Sequence, residues 1–266
     1  MNVKNIINKI VSYACHPSHS LEVIYLKNRW LINRFRGLFT EKKVYDLKRI
    51  PIIINNFNQL TYLKKLIESL EKRGYKNIYI IDNASSYPPL LEYYDECKYT
   101  VFRLKENIGF KALWSTDIFD RFKHSYYVYT DPDVVPIDDC PADFIEYFYG
   151  ILQKFKKAQK VGFSLKIDDL PDCFREKEKV VNWEQNFWKK EIDVNLYDAP
   201  IDTTFALYRP YAKGSANFVE LNIRTGYPYQ ARHLPWYTDT ANPTEEQKYY
   251  IEHCKKITHW TAKMKK

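Results

Sequence analysis

The sequence predicts an α/β fold: a Rossmann-like, mostly parallel sheet flanked by helices, with an elaborated C-terminal half. Three observations predict it. Between residues 49 and 130, short β-branched or aromatic runs alternate with amphipathic segments of helix length. Such alternation needs crossover connections, which are right-handed and make a parallel sheet. The first run is apolar without a polar alternation, as a strand buried on both faces is. Finally, each run ends in a polar loop, and ligands on such sheets bind beyond the carboxyl ends of the strands.

Residues 1–48 read as a helical, basic lead-in. Leu21, Ile24, Leu31, Phe35 and Leu38 interleave there with Lys27, Arg29, Arg34 and Arg36. That mixture fits an amphipathic helix on a membrane surface, or one packed on the domain. The single main domain, 49–266, opens with a strand over Ile50–Ile54, where Pro51 is tolerated near the strand start. Asn55 to Asn58 form a loop able to cap a helix. Leu60, Leu63, Leu66, Ile67 and Leu70 then carry helical spacing from Gln59 to Lys72, and Gly74 stops it. A second strand covers Asn77–Ile81, a short helix Pro88–Cys97, a third strand Tyr99–Leu104. Asn107-Ile108-Gly109 turns into a helix reaching about Phe122, and Ser125–Thr130 is the fourth strand.

Residues 136–266 are less regular and end in a basic tail. A helix is expected over Ala142–Lys157 and a strand over Lys160–Ile167. Loop with short helix follows to Asn195. Further strands are expected at Thr203–Tyr208 and Asn217–Ile223, and a helix at Glu245–Lys256. No internal repeat or clear linker interrupts this half.

Composition narrows the function. The 266 residues carry a net charge of +8, which attracts polyanions: nucleic acid, anionic lipid or phosphorylated substrates. Lys42, Lys43 and the tail lysines 255, 256, 263, 265 and 266 concentrate that charge near the two ends. No apolar stretch is long enough to span a bilayer, and Met1 to Ile10 lacks a signal-peptide core. Five scattered cysteines, including Cys15, have no zinc-ligand spacing and suit a reducing compartment. A cytoplasmic protein, peripheral at the inner membrane face, is the expectation.

The sharpest chemical feature is Asp131-Pro132-Asp133, just past the fourth strand. Two carboxylates there can hold a hard divalent cation, and the cation can neutralise a diphosphate. With this motif in place, the chain resembles a GT-A glycosyltransferase of the family 2 type over residues 49 to 135. The resemblance rests on Pro51 to Asn58, Ile81-Asp82-Asn83-Ala84-Ser85, Glu106 to Phe110, and Thr130 to Asp133, in that order. It implies a nucleotide-sugar donor, a UDP-sugar by preference, and a glycan or glycolipid acceptor in polysaccharide synthesis.

The resemblance also implies roles. Asp82 would accept a hydrogen bond from the nucleotide base, since a carboxylate is an acceptor only; capping the next helix is the alternative. Asn55, Asn56, Asn58 and Asn83 would line the nucleotide pocket. Lys111 would offset diphosphate charge. Asp133 would ligate Mg²⁺ or Mn²⁺ directly, and Asp131 would contact ribose or metal-bound water. His233, about a hundred residues on, would be a third metal ligand. Asp202 stands where the family places its base, with Asp198 and Asp239 in reserve. The family's Glu before that Asp is replaced by Ile201, so stereochemistry stays open. Arg209, Arg224 and Arg232 are candidates for an anionic group, and Trp183, Trp188 and Trp236 for sugar stacking.

Two rival readings differ in what they require. A nucleotidyltransferase needs a Gly-rich basic loop after the first strand, and Asn55 to Asn58 is not one. A non-catalytic glycan- or nucleic-acid-binding module suits the charge. No nucleic-acid motif is present, however, and the carboxylates would repel phosphate without metal.

Overall fold

The computed structural model describes residues 17–40, 44–201, 204–214 and 219–254. Helix α1 (Pro17–Thr40) leads into β1 (Ile52–Asn56), α2 (Leu60–Lys72), β2 (Ile78–Asp82), α3 (Pro88–Glu96) and β3 (Thr100–Arg103). Next come α4 (Ile118–Phe122), β4 (Tyr127–Thr130), β5 (Val134–Pro136), α5 (Phe144–Lys154) and β6 (Lys160–Leu165). Helix α6 (Lys177–Glu184), β7 (Glu191–Asp193), β8 (Leu196–Asp198), β9 (Ala206–Tyr208), β10 (Asn222–His233) and α7 (Glu245–His253) complete the order.

One sheet runs β3-β2-β1-β4-β9-β6-β10-β8-β7, with β5 pairing to β10. The strands β3, β2, β1 and β4 are mutually parallel. Beyond β4, antiparallel pairs enter through β9, β8, β7 and β5, while β6 and β10 remain parallel. The order reverses at β1, between β2 and β4, which opens a crevice at the carboxyl ends of those strands.

Burial follows the two-residue period of a strand. Ile52 and Ile54 of β1 pack into the larger core beneath α2, α3 and α5, and Ile53 packs into the smaller core on the opposite face. Likewise Val128 joins the larger core, and Tyr127 and Tyr129 join the smaller one. Each fully buried aliphatic or aromatic side chain contributes about 1.5–3 kcal/mol. Gly162 of β6 is where β9 comes closest: a Cβ there would lie 2.5 Å from the Phe205 carbonyl, so only glycine fits without displacing backbone.

Three departures from the sequence expectations matter. The helix expected from Gly109 to Phe122 is broken into a 3₁₀ turn, Gly109–Lys111, and the short α4. The strand expected to end at Ile223 instead begins at Asn222 and runs to His233. Its irregularity between Thr225 and Gln230 lets it continue past Gly226 and Pro228, which read locally as breakers. The three-residue strands β5, β7 and β8 were not expected at all. Among the described residues, no helix is long and apolar enough to cross a membrane, and no disulfide links Cys97, Cys140, Cys173 and Cys254. Cys15, Lys42, Lys43 and the tail lysines lie outside the described residues.

Candidate active site

The crevice floor is built from the loops after β1 and β2. Asn58 has φ +52°, a left-handed conformation that Asn tolerates. Its Oδ1 accepts from the Ser86 and Tyr87 amides at 2.8 and 3.0 Å, and its own amide donates to Ser85 Oγ at 2.9 Å. Asn58 therefore ties the two loops together and satisfies amides at the start of α3. Ala84 has φ +59°, a costlier choice for a side chain with Cβ, and such strain concentrates at functional sites.

Asn83 Oδ1 accepts from the Ile108 amide at 2.9 Å, and its Nδ2 donates to the Gly109 carbonyl at 2.9 Å. Gly109 itself has φ +79°, which glycine adopts at no steric cost. Asn56 Nδ2 donates to the Tyr94 hydroxyl at 2.8 Å. Asp82 is buried between them, its Oδ1 accepting from the Ser85 amide at 3.3 Å. Burial raises its carboxyl above the usual range, against the lowering effect of the Ser85 hydrogen bonds and of Arg103. Of the polar residues expected to line a nucleotide pocket, Asn58 and Asn83 thus bind loop to loop, and Asn55 is buried beside Asn83. Lys111 is exposed, its ammonium 5.6 Å from the Phe110 ring centre.

The other end of the crevice is assembled from distant sequence. The antiparallel pairing of β5 with β10 sets His233 opposite Val134. His233 Nε2 therefore lies 3.6 Å from Asp133 Oδ2, and the Leu234 amide donates to the Asp133 carbonyl at 2.8 Å. Asp133 Oδ1 and His233 Nδ1 are buried without a hydrogen-bond partner, as are Asn56 Oδ1, Asn58 Nδ2 and Trp236 Nε1. Unpartnered buried polar atoms are uncommon and costly; these five lie just after or at the ends of β1, β4 and β10, while Gln159 Nε2, Trp188 Nε1, Thr204 Oγ1 and Asn222 Oδ1 are others elsewhere in the fold.

Among the described residues, no three His, Cys, Asp or Glu side chains converge as a metal-binding group. The pair Asp133 and His233 still fits a cation that takes one or two protein donors and completes its shell with substrate phosphate and water. The orphaned carboxylate oxygen of Asp133 is the observation that favours this fit. Asp131 sits half-buried at the mouth.

Other candidates resolve differently. Asp202 lies outside the described residues. Asp198 is ion-paired with Lys190, and Asp239 accepts from Ala241 and Asn242 in an exposed turn. Arg209 is buried and donates to the carbonyls of Ala158, Leu152 and Phe155. Arg224 is buried against Glu184 at 2.7 Å. Both arginines hold the fold together. Arg232 is the one near His233, donating to Asp169 at 2.6 Å. Trp183 is exposed, whereas Trp236 is buried with its ring 4.6 Å from that of His233.

Sequence reasoning missed α7 as part of the site. Glu246 accepts from the Leu60 and Thr61 amides at 2.7 and 2.9 Å, capping α2, which has no cap of its own. Tyr249 donates to the Ser86 carbonyl at 2.9 Å, and Tyr250 meets Phe57 edge-on. Burial pushes the Tyr62 phenol up to about 12, opposed by the Gln247 hydrogen bond and reinforced by the charge of Asp133. The Tyr250 phenol is raised mainly by burial, with Cys254 and Asp133 adding to it. Only the capping box at Thr244 and Gln247 marked this helix start in the sequence.

No family model matches the sequence, and no curated protein does. Solved structures similar to it include Staphylococcus aureus TarS residues 1–349, at 12% identity and a TM-score of 0.41 over 69% of this chain. The chain spans 60% of that TarS chain. A mycobacterial protein is similar at 12% identity and a TM-score of 0.41, over 70% of each chain. Glucosyl-3-phosphoglycerate synthase of Mycobacterium tuberculosis, in complex with Mn²⁺ and UDP-glucose, is similar at 12% identity and a TM-score of 0.36, over 64% of this chain and 62% of that one.

Proposed function

We propose that this chain is a metal-dependent glycosyltransferase that moves a sugar from a nucleotide donor, a UDP-sugar, to a hydroxyl of a glycan or glycolipid. The observation that carries the reading is the meeting of Asp133 and His233 at 3.6 Å beside the switch point, each with an unpartnered buried atom. Residues 49–135 form the donor half in this reading, and 136–266 the acceptor half.

Asp133 and His233 would hold Mg²⁺ or Mn²⁺, which supplies Lewis-acid stabilisation of the departing diphosphate. Asp131 faces the ribose or metal-bound water. Asp82 and Asn55 form the base end of the crevice, whose shape Asn58 and Asn83 fix. In the transfer, an acceptor oxygen forms a bond to the anomeric carbon as the bond to the diphosphate oxygen breaks. That electron pair leaves with the nucleotide. The acceptor proton passes to a carboxylate base, assigned to Asp202 from its place in the sequence.

The reading extends to a membrane. Among the described residues, eight of the thirteen exposed large apolar side chains lie on α1, including Leu21, Ile24, Phe35, Leu38 and Phe39. The opposite side of α1 is anchored by Arg29 to Glu220 at 2.6 Å and by Asn33 to Gln159 at 2.8 Å. An exposed apolar stripe flanked by Lys27, Arg34 and Arg36 suits an anionic lipid surface.

Calorimetric titration of UDP, GDP and CMP, with and without Mn²⁺, tests the donor site. Metal-dependent binding of UDP that Asp133→Ala abolishes is expected. Failure of all three nucleotides to bind would remove the assignment. For the membrane part, flotation with phosphatidylglycerol vesicles should be salt-sensitive; no flotation at low salt would reject it.

A further inference from the structure

A cavity of about 410 Å³ opens between the start of α2, the 234–240 segment and α7. That volume falls within the range of small-molecule sites, about 300–1,000 Å³. We propose that it binds a neutral saccharide, the acceptor of the transfer. The acceptor part rests on the donor-site reading above; the saccharide part rests on the cavity itself.

The walls carry two kinds of group. Tyr62, Tyr87, Trp236 and Tyr250 supply aromatic surface, and Gln59 and Thr238 supply amide and hydroxyl groups. A pyranose ring presents both a C–H face, which packs on an aromatic ring, and a rim of hydroxyls, which needs donors and acceptors. Tyr and Trp serve such amphipathic ligands because each is apolar with one polar handle. Here the handle of Trp236 is unmet: the side chain is 3% exposed, lines the cavity, and its Nε1–H has no partner. A sugar hydroxyl oxygen would supply the acceptor it lacks.

Charge separates this ligand from a phosphate. Both carboxylates in the wall are engaged, Glu246 by the α2 amides and Glu245 by Lys248 at 2.8 Å. Lys65 is the one cation among the lining residues. With Glu245 offset by Lys248 and Glu246 held by the helix amides, Lys65 alone leaves the wall without the cluster of cations that a diphosphate or a sugar acid needs. Asp82 does not line the cavity, so the base-recognising carboxylate serves a different space.

Position makes the saccharide an acceptor. The Trp236 ring packs 4.6 Å from the His233 ring, and His233 lies against Asp133. A sugar in the cavity therefore borders, across Trp236, the site where the donor diphosphate would be neutralised. Helix α7 closes the far wall and is itself fastened to α2 through Gln247 to Tyr62 at 3.1 Å and to the loop after β2 through Tyr249 to Ser86.

The test is calorimetric titration of the full chain, with UDP and Mn²⁺ present, using maltose, cellobiose and lactose, with glucuronate and glucose 6-phosphate as charged probes. Saturable binding of at least one neutral disaccharide is expected, with about tenfold weaker binding in Trp236→Phe, which keeps the ring and removes the N–H. Thr238→Val should weaken the same titration, and the charged probes should not bind. Retained UDP binding with no disaccharide binding, or disaccharide binding unchanged in both variants, overturns the cavity assignment alone. Tighter binding of a charged probe overturns its neutrality. Disaccharide binding in a chain that binds no UDP overturns the acceptor role and the donor reading, and leaves a saccharide site.

Discussion

The two ends of the crevice are built by opposite means. At the end proposed for the donor, Asn58 and Asn83 join loops fewer than thirty residues apart through side chain to backbone bonds. At the end proposed for the acceptor, β10, the turn after it and α7 bring His233, Tyr237 and Glu246 to partners about 70 to 190 residues away in sequence. The donor end is therefore a local structure that the neighbouring strands dictate. The acceptor end exists only once the whole sheet has formed, and single contacts there hold more of it in place. Long-range contacts of this kind require loop closure before they contribute.

The largest effect should come from the support of the acceptor half. Glu184→Ala leaves the Arg224 guanidinium buried without its counter-charge, at a cost of about 3–5 kcal/mol. Chemical unfolding should report that loss; a change below 1 kcal/mol would mean that the ion pair does not support β10. Next, Glu246→Ala removes the cap of α2 and should cost about 1–2 kcal/mol. Hydrogen exchange should then rise in α7 and at Leu60 and Thr61 together. Exchange confined to α7 would break the claimed link between the two ends.

Smaller effects are expected at the donor end. Asp82 has a raised carboxyl, so ionising it opposes folding at neutral pH. Asp82→Asn should melt at a higher temperature at pH 7 while losing preference among nucleotide bases. The sign follows from linkage: the favourable protonated state is fully present below the unfolded carboxylate range near 3.8 and lost as pH rises through the raised folded value. The stability gain of Asp82→Asn should vanish below pH 4; a gain that grows in acid would contradict the burial account. Smallest of all, Lys111→Ala should change stability by under about 0.5 kcal/mol, because its side chain is solvated. A larger loss of UDP affinity than of stability would place Lys111 on the diphosphate.

What the sequence revealed divides along the same line. Strands β1 to β4 and helix α2 were legible because their periodicity is complete within each segment. The place of Asp131-Pro132-Asp133 just past the fourth strand was legible too, since β4 ends at Thr130. Strand β10 was not legible, because Gly226 and Pro228 sit inside it and its pairing with β5 and β6 is set by residues far away. His233 was named from the family resemblance, and the β5–β10 pairing is what brings it to Asp133. Helix α7 was expected as a helix, while its seat over the β1 loop depends on Glu246 finding unfilled amides at α2. Local patterns cannot record such a vacancy elsewhere in the chain.

The most direct measurement is electron paramagnetic resonance of Mn²⁺ titrated into the chain with UDP present, for the native protein, Asp133→Ala and His233→Ala. The account predicts that the native chain depletes the free Mn²⁺ signal only when UDP is added, and that each substitution weakens this uptake by about a hundredfold. Equal uptake by all three proteins would contradict the pairing of Asp133 with His233 as the metal site, and with it the donor reading.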